Sequence, residues 1–161
     1  MKIGSMDYEE VLKLFRALVA HEVEFIVVGA IALNIHGIVR GTQDVDLFVR
    51  PTGENVARLR LALFDVWKDP AVNEIDAEEL AGDVPVVRYT PPVEELTVDL
   101  ISRLDTAFTH DQIEWEEADA GGVTVRVATP RMLLRMKRDT LRPLDARDSL
   151  LLRERFDLED A

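Results

Sequence analysis

Phe25-Ile26-Val27-Val28-Gly29-Ala30, followed after thirteen residues by Asp44-Val45-Asp46-Leu47-Phe48-Val49, is the stretch whose reading decides the fold. The first part is a continuous apolar run rich in β-branched residues and ended by glycine, which reads as a buried strand. Ala30 to His36 then suits a short helix closed by Gly37. The second part is another strand, carrying two acids at its opening and stopped by Arg50-Pro51-Thr52-Gly53. Side chains alternate along a strand, so Asp44 and Asp46 leave the same face, ~6.5 Å apart along the backbone. Two acids on an otherwise apolar strand repel each other, and a shared divalent cation satisfies both.

Outward from this unit the pattern is that of one α/β domain. Asp7 and Glu10 have the spacing of a capping box, and Val11, Leu12, Leu14, Phe15, Leu18 and Val19 recur at helical intervals, predicting a helix from about Asp7 to Ala20. A second helix is expected from Glu54 to about Val66, with Val56, Leu59, Leu63 and Val66 on one face. Residues 67 to 85 hold Pro70, Gly82 and several acids and read as irregular. Val86 to Tyr89 and Leu96 to Ile101 read as strands, and Ile113 to Glu117 with Val123 to Val127 as a hairpin across Ala120-Gly121-Gly122. Thr129-Pro130 supplies an N-cap and a first-turn proline for a helix carrying Met132, Leu133 and Met136. Pro143 interrupts, and a last helix runs from about Leu144 to Arg155. The expectation is a mixed β-sheet flanked by helices, with a core over about 7–128 and a short C-terminal helical segment over about 129–156.

Composition narrows the function. The chain has 161 residues, 47% apolar, which suits a single core rather than two. It contains no cysteine, so disulfides, thiolate zinc sites and cysteine nucleophiles are excluded. The absence of a long apolar run or a signal-like leader points to a cytoplasmic protein with no membrane association. A net charge of -12 disfavours non-specific nucleic-acid binding by the whole surface. The charge is uneven, however: residues 126–155 carry nine Lys/Arg against four acids, a local +5, leaving -17 on the remainder. An acidic body suited to a cation is joined to a basic tail suited to an anion, or to a solvated helix face.

Asp99, in Thr97-Val98-Asp99-Leu100-Ile101, is a further acid in an apolar strand. It either completes a three-carboxylate cluster or pairs with Arg88 or Arg103. Gly29 lets the backbone approach a ligand at a strand-to-helix turn, or simply makes the turn tight. Arg40 and Thr42 lie in the loop before the acidic strand, where the arginine would reach a phosphate and the threonine would fix the turn. His36 reads as a packing or capping group. Trp67 and Trp115 read as core or surface anchors.

Taken together, these motifs resemble the signature of the DNA polymerase β nucleotidyltransferase superfamily: strand, Gly-Gly or Gly-Ser, helix, then Asp-x-Asp on the next strand. The run from Gly29 through His36-Gly37 and Arg40-Gly41-Thr42-Gln43 to Asp46, with Lys137, Arg142, Asp145 and Asp148 further on, resembles the AbiEii-like branch, whose members include toxins of toxin–antitoxin systems. The resemblance implies that Asp44 and Asp46 bind Mg2+ or Mn2+ and that Asp99 helps bind one ion and accepts a proton from the attacking hydroxyl. It also implies that Gly29 and Ala30 border the triphosphate, with Thr42 nearby, and that Lys137, with Arg142 or Arg40, neutralises it. Asp145 and Asp148 would orient those bases, although an acid near a helix start is equally favoured by the helix dipole.

The implied activity is transfer of a nucleoside monophosphate from an NTP to a hydroxyl of RNA, such as a tRNA end, of a protein or of a small molecule. The implied macromolecular partner is a cognate antitoxin or toxin. Position 30 departs from the family pattern, which has Ser or Gly there. Loss of one neutral hydrogen bond is worth on the order of 1 kcal/mol, which predicts weakened rather than abolished activity. The alternatives are a catalytically weak binding protein of a toxin–antitoxin pair, and an antibiotic-modifying nucleotidyltransferase, against which the short chain weighs.

Overall fold

The computed structural model describes residues 2–3, 6–104, 108–137 and 143–158. Two short strands, β1 (Lys2–Ile3) and β2 (Met6–Asp7), pair with each other ahead of helix α1 (Tyr8–Ala20). The apolar run forms β3 (Phe25–Val28) and passes directly into α2 (Gly29–Ile35). The acidic strand is β4 (Asp44–Val49), followed by α3 (Gly53–Trp67). After a 3-10 turn (Pro70–Glu74) and α4 (Ala77–Ala81) come β5 (Val86–Tyr89) and β6 (Thr97–Ile101). Two-residue strands β7 (Arg103–Leu104) and β8 (Phe108–Thr109) precede the hairpin of β9 (Trp115–Asp119) and β10 (Thr124–Ala128). Helices α5 (Pro130–Lys137) and α6 (Pro143–Phe156) follow.

Six strands form one mixed sheet in the order β5-β6-β4-β3-β10-β9. β4 runs parallel to β6 and antiparallel to β3, so both edges of the site-bearing strand are paired. The central strands are apolar because both faces are covered: Phe25 to Val28 are all buried, as are Val45, Leu47, Phe48 and Val49. Helix α1 packs against α3, α5 against α6, and α2 against β3 and β4. One hydrophobic core runs through these layers.

The segment over 67–85 is more regular than its composition suggests. Two of its acids are caps: Asp69 Oδ1 accepts from the Ala71 N–H at 3.1 Å and Asp76 Oδ1 from the Glu78 N–H at 3.0 Å. Each satisfies a backbone donor at the start of a short helical turn. Val72, Ile75 and Leu80 are thereby buried against the core. Pro143 likewise opens α6 rather than only breaking α5, a position where its missing N–H costs nothing. The Thr129 cap is present, its Oγ1 accepting from the Met132 N–H at 3.2 Å. The side chain of Asp7 lies outside the described residues. Among the described residues no helix is long and apolar enough to cross a membrane.

Candidate active site

The register of the sheet assembles the acids. Asp46 of β4 lies opposite Asp99 of β6, Val28 of β3 opposite Asp46, and Arg88 of β5 opposite Asp99. Residues paired across strands share a face, so Asp46, Asp99 and Arg88 form one row, and Asp44 stands two residues along on the same face as Asp46. The Asp46 and Asp99 carboxyls lie side by side across the β4–β6 pairing, close enough to act directly on each other. Burial, then the Asp99 and Asp44 charges, push the Asp46 carboxyl up to about 7, while Lys137 pulls it back down. Two acids this close in a dry environment cannot both carry charge freely.

Gly29 sits against this row. Its φ of +68° lies in the left-handed region, and a Cβ built there would come within 2.0 Å of Asp46 Oδ2. The glycine is thus more than a tight turn: it makes room for the Asp46 carboxylate beside the first turn of α2. Ala30 is 5% exposed, its methyl belonging to the packed interior. Thr42 fixes the entry to β4, its Oγ1 accepting from the Asp44 N–H at 3.0 Å and donating to the Asp44 carbonyl at 3.3 Å.

Asp148 of α6, 3% exposed, gathers the cations of the loop and of α5. Its Oδ2 receives Arg40 Nη1 at 2.7 Å and Lys137 Nζ at 3.0 Å. Lys137, 11% exposed, therefore stands between Asp148 and Asp46, within electrostatic reach of both. Arg40 is further fixed by Asn34, which exchanges two hydrogen bonds with its backbone at 2.9 and 3.1 Å. The basic tail accordingly places one lysine at the acidic row. Arg142 and the side chain of Asp145 lie outside the described residues. His36 packs edge-on against Phe156, and its Nε2 lies 2.8 Å from the Ala128 carbonyl, as its packing role predicts. Trp67 donates to Glu10 and meets Tyr89 in the core, whereas Trp115 is exposed beneath the Arg126 guanidinium.

Two residues carry more than their sequence signals suggest, Arg88 at the acidic row and Asn55 at the other end of β4. Arg88 forks across Asp99, Nε to Oδ1 at 2.9 Å and Nη2 to Oδ2 at 3.3 Å; sequence supplied it only as an alternative partner. Asn55, buried under the β3–β4 end, accepts from the Glu24 N–H and donates to the Glu24 and Arg50 carbonyls at 2.7, 3.0 and 2.9 Å. It ties the entry of β3 to the exit of β4, and a polar residue at a helical core position was its only signal.

The donors suit a hard divalent cation in kind: carboxylates on adjacent strands, two of them side by side and one raised toward neutrality by burial and then by its neighbours. Among the described residues no three His, Cys, Asp or Glu side chains are gathered round a single point; Asp99 is divided between Asp46 and Arg88.

The fold is similar to that of solved nucleotidyltransferase structures. The chain is similar to a Thermotoga maritima protein assigned to that class, with TM-score 0.51 and 14% identity over 97% of this chain and 96% of that one. It is also similar to the antibiotic-resistance factor ANT(2'')-Ia in its complex with adenylyl-2''-tobramycin, with TM-score 0.56 and 13% identity over 92% of this chain and 88% of that one. A nucleotidyltransferase-like antigen of Paracoccidioides brasiliensis matches with TM-score 0.54 and 14% identity over 94% and 78% of the two chains. No family model matches the sequence, and no curated relative does either.

Proposed function

We propose that the chain is a metal-dependent nucleotidyltransferase that moves a nucleoside monophosphate from an NTP to a hydroxyl acceptor. The observation that carries the reading is the placement of Asp46 and Asp99 side by side on parallel strands, with Asp44 on the same face and Lys137 closing on them from α5. The likeness to nucleotidyltransferase structures supports it at the level of fold.

In this reading Asp44, Asp46 and Asp99 hold Mg2+ or Mn2+, which would neutralise the phosphates and lower the barrier at the attacked phosphorus. The acceptor oxygen forms a bond to the α-phosphorus while the bridging bond to the β-phosphate oxygen breaks, and pyrophosphate leaves with its electron pair. Asp99 takes the hydroxyl proton. Lys137 adds a charge-assisted contact to the triphosphate, and Asp148 keeps its amine in place. Ala30 supplies no hydroxyl, so backbone and metal do more of the phosphate binding.

The antibiotic-modifying reading gains from one observation. ANT(2'')-Ia is matched over 88% of its length, so chain length does not weigh against that class. An acidic surface would also attract an aminoglycoside cation. A tRNA or protein acceptor within a toxin–antitoxin system, with a cognate partner protein, rests on the sequence resemblance.

Calorimetry of each NTP in magnesium tests the proposal. The parent is expected to bind, Asp46→Asn to lose metal-dependent binding, and Lys137→Ala and Arg142→Ala to bind about ten-fold to a hundred-fold more weakly. Arg153→Ala, outside the matched pattern, serves as the control. Equal binding by all five proteins, or none by the parent, would leave the C-terminal cations as a partner-binding surface.

A further inference from the structure

Arg88 occupies an unusual place for a surface cation. It lies on the edge strand β5, its side chain 62% exposed, and it puts two donors on the two oxygens of one carboxylate that is itself only 14% exposed. The bidentate fork uses the in-plane lone pairs with which Asp99 would bind a cation.

A purely structural account gives little reason for the pair. An exposed ion pair stabilises a strand edge only slightly, and the register alone would join β5 to β6 through its backbone bonds. Chemically, the arginine supplies positive charge to a cluster of like charges. A divalent cation would do the same, on the same oxygens.

We propose that Arg88 is an internal competitor of the divalent cation: it holds Asp99 in the metal-free protein and must release it before Asp99 can join Asp44 and Asp46 around an ion. The inference rests on the metal-dependent reading above. Release is sterically open, because the guanidinium is exposed and can swing into solvent without moving the strand. The device sets a threshold, so that the site loads only when cation binding outweighs the lost fork.

The test is Mn2+ titration of the full chain without nucleotide, followed through the spectrum of the free ion, for the parent, Arg88→Ala, Arg88→Lys and Asp46→Asn. Arg58→Ala, which removes an equal charge from the exposed Glu54 pair on α3, controls for net charge. Arg88→Ala is expected to bind Mn2+ about ten-fold more tightly than the parent, with Arg88→Lys, which keeps the charge but loses the fork, in between. Arg58→Ala should stay near the parent, and Asp46→Asn should bind least. Combining Arg88→Ala with Asp99→Asn should cancel the gain. If Arg88→Ala binds no more tightly than the parent while Asp46→Asn still loses binding, the competitor role is overturned and the metal site stands. If neither the parent nor Arg88→Ala binds Mn2+, the metal reading falls and the inference with it. A gain in Arg58→Ala equal to that in Arg88→Ala would reduce the effect to net charge and also overturn it.

Discussion

Replacing Gly29 by alanine puts a methyl where the Asp46 carboxylate now lies. The new Cβ would meet Asp46 Oδ2 at 2.0 Å, Cγ at 2.9 Å and Cβ at 3.1 Å, on a backbone whose φ is +68°. Ordinary contact begins near 3.4 Å, so the carboxylate has to move by more than about 1 Å. The left-handed backbone alone costs roughly 1–2 kcal/mol for a residue with a Cβ. For a chain of this size each kcal/mol lowers the melting temperature by about 2–4 °C, which sets the strain component at about 2–8 °C. The steric component adds to it only while the Asp46 carboxylate is present.

Thermal denaturation of four proteins separates the two: the parent, Gly29→Ala, Asp46→Ala and the double variant. Gly29→Ala should cost clearly more in the parent than in the Asp46→Ala background, where only the 3.1 Å approach to Cβ remains. A displacement near 1 Å at a reacting group typically costs on the order of a hundred-fold in rate, so any transferase activity should fall by about that factor while the protein stays folded. Equal stability losses in both backgrounds would refute the placement of Asp46 against Gly29.

The Asp46 carboxyl, pushed up to about 7 chiefly by burial and the Asp99 charge, makes stability depend on pH. Its folded value lies above its unfolded one, so the folded state holds the proton more tightly and stability falls as pH rises from about 4 toward 7, then levels off. Urea midpoints across pH 4 to 8 should show this loss in the metal-free parent, less of it in Asp46→Asn, and its reversal by saturating magnesium at pH 8; a slope unchanged in Asp46→Asn would contradict the account. Asp148→Ala leaves the Lys137 and Arg40 cations without their buried partner and should destabilise the fold by about 3 kcal/mol, measured by chemical denaturation. A loss under about 1 kcal/mol would mean that both cations are solvated instead.

Much of the site was legible because strand chemistry is local. Asp44 and Asp46 stand out as charges on an apolar strand, and alternation alone puts them on one face. Asp99 stood out for the same reason, but its juxtaposition with Asp46 depends on the register of β4 against β6, strands separated by some fifty residues. Arg88 is ambiguous in sequence because an arginine on a strand edge is ordinary; only the register shows that it faces Asp99. Lys137 is singled out in sequence only by the resemblance of the C-terminal run to the AbiEii-like pattern, whereas the Arg40 that shares Asp148 with it lies more than a hundred positions from that acid. The helical turns after Asp69 and Asp76 were hidden because acids that cap look, in composition, like acids of a loop.

The most direct test of the central claim is transfer itself. The protein is incubated with each NTP labelled at the α-phosphate, magnesium, and in separate reactions total cell RNA, a protein extract and an aminoglycoside, with Asp46→Asn and Asp99→Asn in parallel. The account predicts label covalently attached to one acceptor class, with release of pyrophosphate, by the parent and at least about a hundred-fold less by either variant. Label transferred equally by the parent and by Asp46→Asn, or by none of the proteins with any acceptor while magnesium and NTP are bound, would contradict it.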